Sequence, residues 1–178
     1  MHGRKAVEVL RPGDGCGIEA DALVTQRDDV ALAVITADCA PVALSSPEGV
    51  FAVAHAGWRG LAAGVLDATM EAMECLGASR VHALVGPCIH PECYAFTPAD
   101  LEEAVALGGE GLRGTDRYGR PALDLPAGVC AALRRAGAVV DEVSPTCTAC
   151  SPDHWSWRAE RDRARQATVV WRDARSGR

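Results

Sequence analysis

The sequence predicts an α/β domain of α+β layered type, in which mixed sheets are flanked by helices. Three observations support this prediction. Short apolar runs indicate buried strands, a longer segment has helical spacing, and the two kinds of segment are interleaved along the chain. The 178 residues suit one hydrophobic core, so we expect a single domain over 1–178.

The elements follow in chain order from these patterns. The segment 59–76 is predicted to be helical because Leu61, Val65, Thr69 and Met73 fall on one stripe, with Gly77 where a C-terminal cap would stand. Glycines and a proline between 108 and 123 predict a surface loop. Strands are predicted at 6–10, 30–35, 50–54, 81–85, 138–143 and 167–171, and further helices at 101–107 and 128–136.

Composition excludes several classes of protein. A net charge of -6 and a pI near 5.3 disfavour nucleic acid as a partner, since phosphate backbones require a basic face. No apolar run is long enough to cross a membrane, and the first five residues lack the apolar core of a signal peptide. The eight cysteines are therefore expected to be reduced thiols in a cytoplasmic protein.

Chemically active side chains come at the ends of predicted strands. Cys39 and His55 each follow an apolar strand, as does Cys88 in Gly-Pro-Cys, and loops at strand ends gather side chains into pockets. Cys39 and His55 can share a metal or form a nucleophile–base pair. The alternative is a buried free cysteine and a core histidine. The neighbouring Asp38 and Arg59 favour function, because polar groups are costly at a core edge.

Further candidates remain open at this level. His2 becomes a third metal ligand only if the strand at 6–10 holds it near the other two, and a Cys-His-His set would leave the fourth zinc position free. Arg59 at a helix start is either an anion subsite or a surface arginine. The pairs Cys88-x4-Cys93 and Cys147-x2-Cys150 could together form a structural four-cysteine zinc site. Alternatively, Cys147 and Cys150 form a redox pair or only line a turn.

Four motifs resemble those of the YfiH/laccase-domain family, also called the peptidoglycan editing factor family, to which FAMIN of animals belongs. They are T-A-D-C-A-P-V at 36–42, H-A-G-W-R-G-L at 55–61, G-P-C-I-H-P-E-C-Y at 86–94, and a tail with C-T at 147–148, H-W-S-W-R at 154–158 and R-Q-A at 165–167. The resemblance covers essentially the whole chain. It implies a fold similar to the catalytic domain of cytotoxic necrotizing factors.

The resemblance also implies a cofactor and an activity. Zinc would be held by His2, Cys39 and His55, and the enzyme would be a purine nucleoside phosphorylase acting on adenosine, inosine and methylthioadenosine, with adenosine deamination as a second activity. In this scheme Arg59 anchors phosphate and Asp38 shuttles a proton. The expected partners are a purine nucleoside and phosphate, with neither nucleic acid nor membrane.

One departure from the family concerns the start of the chain. Members carry a sizeable segment before the Val-His-Gly motif, whereas here the ligand is residue 2. We expect either a misassigned start codon or a shortened member, in which an exposed sheet edge would favour a homodimer.

Three other functions remain as alternatives. One is hydrolysis of an amide in a peptidoglycan precursor, and another is a zinc-binding remnant without catalysis. The third is the family's older label of polyphenol oxidase, which the sequence disfavours because a multicopper site needs many imidazoles and this chain has five histidines.

Overall fold

Two kinds of sheet and a group of helices make up the computed structural model, which describes residues 3–14 and 17–173. The described strands are β1 Ala6–Glu8, β2 Ala22–Thr25, β3 Ala31–Thr36, β4 Ala40–Ser45, β5 Phe51–Ala56, β6 His82–Val85, β7 Arg113–Thr115, β8 Pro121–Leu123, β9 Val139–Val143 and β10 Gln166–Trp171. The described α-helices are α1 Trp58–Ala63, α2 Val65–Cys75, α3 Pro98–Gly108, α4 Leu125–Arg135 and α5 Trp157–Glu160. The α/β class predicted from sequence is confirmed.

The largest sheet carries the elements that matter for function. Its six strands run in the order β1-β2-β5-β4-β6-β9, with β4 and β5 antiparallel neighbours at the centre. A separate pair, β3 with β10, is antiparallel, and β7 with β8 forms a small hairpin. The central strands are buried on both faces, which explains why β5 is an almost continuous apolar run.

Helices cover one face of the large sheet, and the β3–β10 pair covers part of the other. Leu66 and Met73 of α2 and Leu133 of α4 pack in the main core with the central strands. A second, smaller cluster joins Leu32 of β3 to Val53 of β5. No helix within the described ranges is long and apolar enough to cross a membrane.

Several element boundaries differ from the prediction. The segment 59–76 forms two helices rather than one, because Gly64 takes a left-handed conformation with φ 83° between α1 and α2. His55 lies inside β5 rather than after it. The loop expected between 108 and 123 contains the β7–β8 hairpin, and strands β2 and β4 were not predicted.

The turn of the β7–β8 hairpin depends on a buried carboxylate. Asp116 accepts hydrogen bonds from the backbone N–H of Tyr118 at 2.8 Å and of Arg120 at 3.0 Å, and from the Arg120 guanidinium at 2.7 Å. Burial alone would raise the pKa of Asp116, but these hydrogen bonds outweigh it and the pKa is lowered. The charged form is therefore the one that stabilises the folded turn.

Replacement of Asp116 by Asn is expected to lower the melting temperature at neutral pH and to have a diminishing effect in acid. A carboxylate whose pKa is lower when folded stabilises the protein above its unfolded pKa of about 4, and this stabilisation disappears as pH falls through the folded pKa. Thermal melts of both proteins between pH 7 and pH 3 test this. A melting-temperature difference that stays constant across the range would contradict it.

Candidate functional site

Cys39 and His55 lie on the same face of the central hairpin. Ala40 pairs with Ala56 and Pro41 with His55 across β4 and β5. Residues directly opposite each other in a sheet share a face, and Cys39 is two residues from Pro41, so Cys39 and His55 are diagonal neighbours. Both side chains line a pocket of about 330 Å³. The structure thus brings together the two residues that the sequence singled out first.

The surroundings of Cys39 explain its protonation. Burial, and secondarily the nearby Asp38 carboxylate, raise the pKa of the Cys39 thiol to about 11, while Arg165 acts in the opposite direction. A thiol in this environment is protonated at neutral pH until a cation displaces the proton. Thiolate and imidazole are preferred zinc donors, so the donor chemistry of these two side chains is compatible with a zinc ion.

Asp38 holds together the loops around this pocket. It is 7% exposed and has a left-handed backbone with φ 84°. One of its carboxylate oxygens accepts from the Thr148 hydroxyl at 2.8 Å, and the other accepts from the backbone N–H of Arg158 at 2.7 Å. Its own carbonyl accepts from the Ile89 N–H at 2.8 Å. The geometry therefore gives Asp38 a positioning role, and its predicted role as a proton shuttle stays a prediction.

Arg59 lines a second, larger cleft of about 440 Å³ together with Tyr94 and Arg158. The Arg59 guanidinium carbon lies 4.3 Å from the Trp58 ring centroid, and that of Arg158 lies 5.3 Å from the Tyr94 ring centroid. Cys39 and His55 do not line this cleft. Asp100 and Glu103 line the same cleft, so its two arginines are balanced by two carboxylates. The guanidinium groups beside aromatic surface are nevertheless the groups that could bind a phosphate or another anion.

Tyr94 lies within electrostatic range of both pockets. Burial, together with charge on Cys39, raises the pKa of Tyr94 to about 12 against the opposing effect of Arg158 and Arg59. Its ring also packs edge-on against Phe96, with the ring centroids 5.0 Å apart. Tyr94 therefore interacts electrostatically both with Cys39 of one pocket and with Arg59 of the other. Such interactions are short-ranged, so the two pockets are close neighbours.

His2, the third predicted ligand, lies outside the described residues. The next residue is described, and it is anchored near the pocket. The backbone N–H of Gly3 donates to Asp21 at 3.0 Å, and the carbonyl of the same Asp21 accepts from the His55 N–H at 2.8 Å. A Cβ placed on Gly60 would lie 3.5 Å from the Gly3 carbonyl oxygen.

Three of the remaining cysteines form a separate cluster. The sulfur atoms of Cys93, Cys147 and Cys150 lie within 4.8 Å of one another, close enough to hold a metal ion. Cys88, which the sequence had grouped with them, is buried in the main core, where its backbone bridges to Cys147. The predicted four-cysteine arrangement is therefore corrected to a three-cysteine cluster.

The described histidines do not gather into one site. His82 pairs with Asp141 at 2.9 Å on the exposed side of β6, and His154 contacts the Ser151 hydroxyl at 2.9 Å. His90 lies 3.8 Å from Glu92. Only His55 of the four described histidines lines the pocket with Cys39. This distribution does not resemble a cluster of several coppers, which requires converging imidazoles.

Comparison with known proteins places this fold and site in a family. The chain belongs to the family described as multi-copper polyphenol oxidoreductase laccase, whose model matches residues 1–173. A Streptomyces griseus relative named purine nucleoside phosphorylase ORF3 is 44% identical over 97% of this chain and 72% of its own length. An Aquifex aeolicus relative named purine nucleoside phosphorylase is 32% identical over 95% of this chain and 78% of its own.

Solved structures agree with this assignment. The Neisseria meningitidis protein NMB0706 superposes with a TM-score of 0.84 at 30% identity, over 98% of this chain and 73% of that one. YlmD from Geobacillus stearothermophilus gives a TM-score of 0.83 at 27% identity, over 96% and 70% of the two chains. The predicted membership of the YfiH/laccase-domain family is confirmed.

Sequence reasoning missed two residues that complete the Cys39 pocket. Arg165 and Trp157 both line it, although they lie more than a hundred residues from Cys39 along the chain. The Arg165 guanidinium carbon lies 5.9 Å from the Trp157 ring centroid. Trp157 and Arg165 belong to the tail motif at 154–158 and 165–167, and this motif is the signal by which the sequence could have singled them out.

Proposed function

We propose that the chain is a zinc-dependent purine nucleoside phosphorylase that acts on adenosine, inosine and methylthioadenosine in the cytoplasm. The observation that supports this most is the shared pocket of Cys39 and His55, with Arg165 on its wall. The names of the relatives give the substrate class. The pocket volume of about 330 Å³ lies at the lower end of the range for small-molecule sites.

In this proposal Cys39 and His55, with His2 as the third ligand, would hold the zinc ion. When bound there, zinc acts as a Lewis acid that stabilises developing negative charge. Holding it with three protein ligands would leave a position for substrate. The raised pKa of the Cys39 thiol means that the metal must displace a proton.

The arginines supply the anion sites that phosphorolysis requires. A phosphate oxygen attacks C1′ of the ribose, the bond from C1′ to the purine nitrogen breaks, and the base leaves with its electron pair and takes up a proton. Arg59 is the proposed phosphate anchor, and Arg165 lies closer to Cys39 as a second cation. Trp157 offers aromatic surface for the base. For Asp38, the hydrogen bonds accepted by both carboxylate oxygens favour a positioning role over the proton shuttle that the sequence predicts.

Adenosine deamination is included as a second proposed activity of the same pocket. It would use water in place of phosphate at the same zinc ligands, so a chelator should remove both activities together. Amide hydrolysis by Cys39 and His55 as a thiol pair is the competing function. The high pKa of Cys39 argues against it, because the thiolate is the reactive form.

The proposal predicts that purine release depends on both phosphate and metal. The purified protein is incubated with adenosine, inosine or methylthioadenosine, with and without phosphate. The free base and the sugar 1-phosphate are quantified, the latter being ribose 1-phosphate or, from methylthioadenosine, 5-methylthioribose 1-phosphate. We expect equal amounts of both products, formed only with phosphate, and loss of activity after chelation that zinc restores.

Other patterns of product would identify the alternatives. Inosine formed from adenosine faster than free base in the presence of phosphate would indicate that deamination dominates. Base release that persists unchanged after chelation would overturn the zinc-dependent proposal. A protein that binds zinc tightly but releases no base under any of these conditions would support a non-catalytic role.

A further inference from the structure

The cluster formed by Cys93, Cys147 and Cys150 is separate from the proposed catalytic pocket. None of the three lines the Cys39 pocket or the Arg59 cleft. Cys93 ends the short 3-10 turn Pro91–Cys93, and the other two lie on the loop after β9. The parallel bridge between Cys88 and Cys147 holds these two segments side by side. The fold therefore brings thiols that are 57 residues apart in sequence into one group.

Hydrogen-bond donors surround the sulfur atoms of this cluster. The backbone N–H of His90 donates to the Cys147 sulfur at 3.4 Å, and the backbone N–H groups of Ala149 and Cys150 also act on that sulfur. The Arg117 guanidinium donates to Cys93 at 3.5 Å and to Cys150 at 3.8 Å. Burial raises the pKa of Cys93 to about 12 and also raises that of Cys147, so a metal must displace protons from these thiols. The surrounding donors would then stabilise the resulting thiolates.

We propose that Cys93, Cys147 and Cys150 form a second metal site, for a thiophilic divalent ion of the Zn²⁺ type, with Arg117 as its outer-sphere partner. Three thiolates around a divalent ion carry a net charge of -1, and the Arg117 guanidinium compensates that charge. Soft sulfur donors select zinc-type ions over magnesium or calcium. The described residues offer three donors within reach, so the fourth tetrahedral position is available to water.

The present distances are compatible with this site after a small adjustment. Tetrahedral zinc with Zn–S bonds of about 2.3 Å separates its sulfur ligands by roughly 3.8 Å. The Cys93 and Cys150 sulfurs are 3.0 Å apart, so they must open by about 0.8 Å on this estimate. Cys93 is partly buried against the edge of the core, whereas Cys150 is exposed, so rotation of the Cys150 side chain accommodates that change. The competing chemistry is a Cys93–Cys150 disulfide, which needs an oxidant and leaves Cys147 unused.

The site has a structural consequence for the neighbouring cleft. Cys93 directly precedes Tyr94 and lies three residues before Phe96, and both aromatic residues line the cleft that contains Arg59. Thr148, between Cys147 and Cys150, donates to Asp38. A metal that ties the two segments together would therefore fix the wall of the cleft and the loop that positions Asp38.

Cobalt substitution tests this proposal independently of the catalytic site. Metal-free protein, kept reduced, is titrated with Co²⁺, whose sulfur-to-metal charge-transfer and tetrahedral d–d bands report the number of thiolate ligands. The titration compares wild type, Cys39→Ser, Cys93→Ser, Cys150→Ser and the exposed control Cys75→Ser. We expect a multi-thiolate spectrum that persists in Cys39→Ser and Cys75→Ser. Loss of one ligand should weaken Co²⁺ binding at least about 100-fold, because outer-sphere partners alone contribute 10–100-fold.

Two further measurements test the second metal site even if one of the variants folds poorly. In wild-type protein, Zn²⁺ should protect the three cysteines together from alkylation, as mapped by mass spectrometry, while Cys75 stays reactive. Circular dichroism reports whether each variant is folded. Loss of all thiolate absorption in Cys39→Ser would overturn the second site, as would a Cys93–Cys150 disulfide in protein isolated under reducing conditions. If the three cysteines bind no metal but phosphorolysis is observed, the second metal site is refuted and the catalytic proposal is unaffected.

Discussion

Replacement of Cys39 by alanine is expected to remove bound zinc from the catalytic pocket and to lower kcat/KM for phosphorolysis at least about 100-fold. The expected size follows from the role of the thiol, since removal of even an outer-sphere partner of a metal typically changes affinity or activity 10–100-fold. Metal content by mass spectrometry and release of base from adenosine with phosphate are the two measurements. The variant should stay folded, because Cys39 is only partly buried at the edge of the sheet.

Cys75→Ala is the matched control for this experiment. Cys75 is exposed at the end of α2 and lines neither pocket, so its removal should leave zinc content and activity unchanged. Zinc held by the three-cysteine cluster would remain in Cys39→Ala, and metal analysis should then show a decrease of one ion per chain rather than complete loss. Unchanged phosphorolysis in Cys39→Ala would show that the thiol is dispensable and would refute the ligand assignment.

The fold could be predicted where hydrophobic patterning is strong. β3 and β5 were predicted from short apolar runs, and α2 from its helical spacing. The structure corrects the expectation that β3 is buried, because its residues alternate between buried and exposed. β4 was missed because it begins at Ala40-Pro41, next to the polar Asp38, and its sequence resembles a turn. Pro41 is tolerated there because it lies at the start of the strand. β2 is only four residues long and follows a buried Asp21, so it carries little periodic signal.

The site was predictable only in part, for a geometric reason. Cys39 directly precedes β4, and His55 lies on the neighbouring strand β5. The sequence predicted that they meet because each follows a predicted apolar strand. Arg165 and Trp157 reach the same pocket through the pairing of β10 with β3, which cannot be read from spacing. The three-cysteine cluster likewise depends on the long-range bridge beside Cys147. The kinds of residue that form each site could therefore be predicted from the sequence, but the distant residues that complete it could be identified only from the tertiary structure.

Replacement of Asp38 by alanine is expected to destabilise the protein by about 2–4 kcal/mol. The change leaves the buried Thr148 hydroxyl without its acceptor, and an unpaired buried donor typically costs about 1–3 kcal/mol. The Arg158 N–H also loses its acceptor, but Arg158 is exposed and water can replace part of that bond. It also places alanine at φ 84°, which L-residues other than Asn and Asp rarely adopt. Chemical denaturation gives the free energy of unfolding.

Two companion variants separate the contributions at this position. Asp38→Gly relieves the backbone conformation but not the missing acceptor, so it should recover about 1 kcal/mol relative to Asp38→Ala. Asp38→Asn keeps the tolerant backbone and one acceptor oxygen, so it should be the most stable of the three. Equal destabilisation by all three substitutions would contradict the hydrogen-bond explanation.

Activity in the same series distinguishes positioning from proton transfer. If Asp38 acts by holding the loops of Thr148 and Arg158, Asp38→Asn should retain a substantial part of kcat, and the pH profile of its kcat should keep the wild-type shape. If Asp38 shuttles a proton, Asn should be as inactive as Ala, and one limb of that pH profile should disappear. Both carboxylate oxygens already accept hydrogen bonds from the protein. We therefore expect that Asp38→Asn retains a substantial part of kcat and the wild-type pH profile.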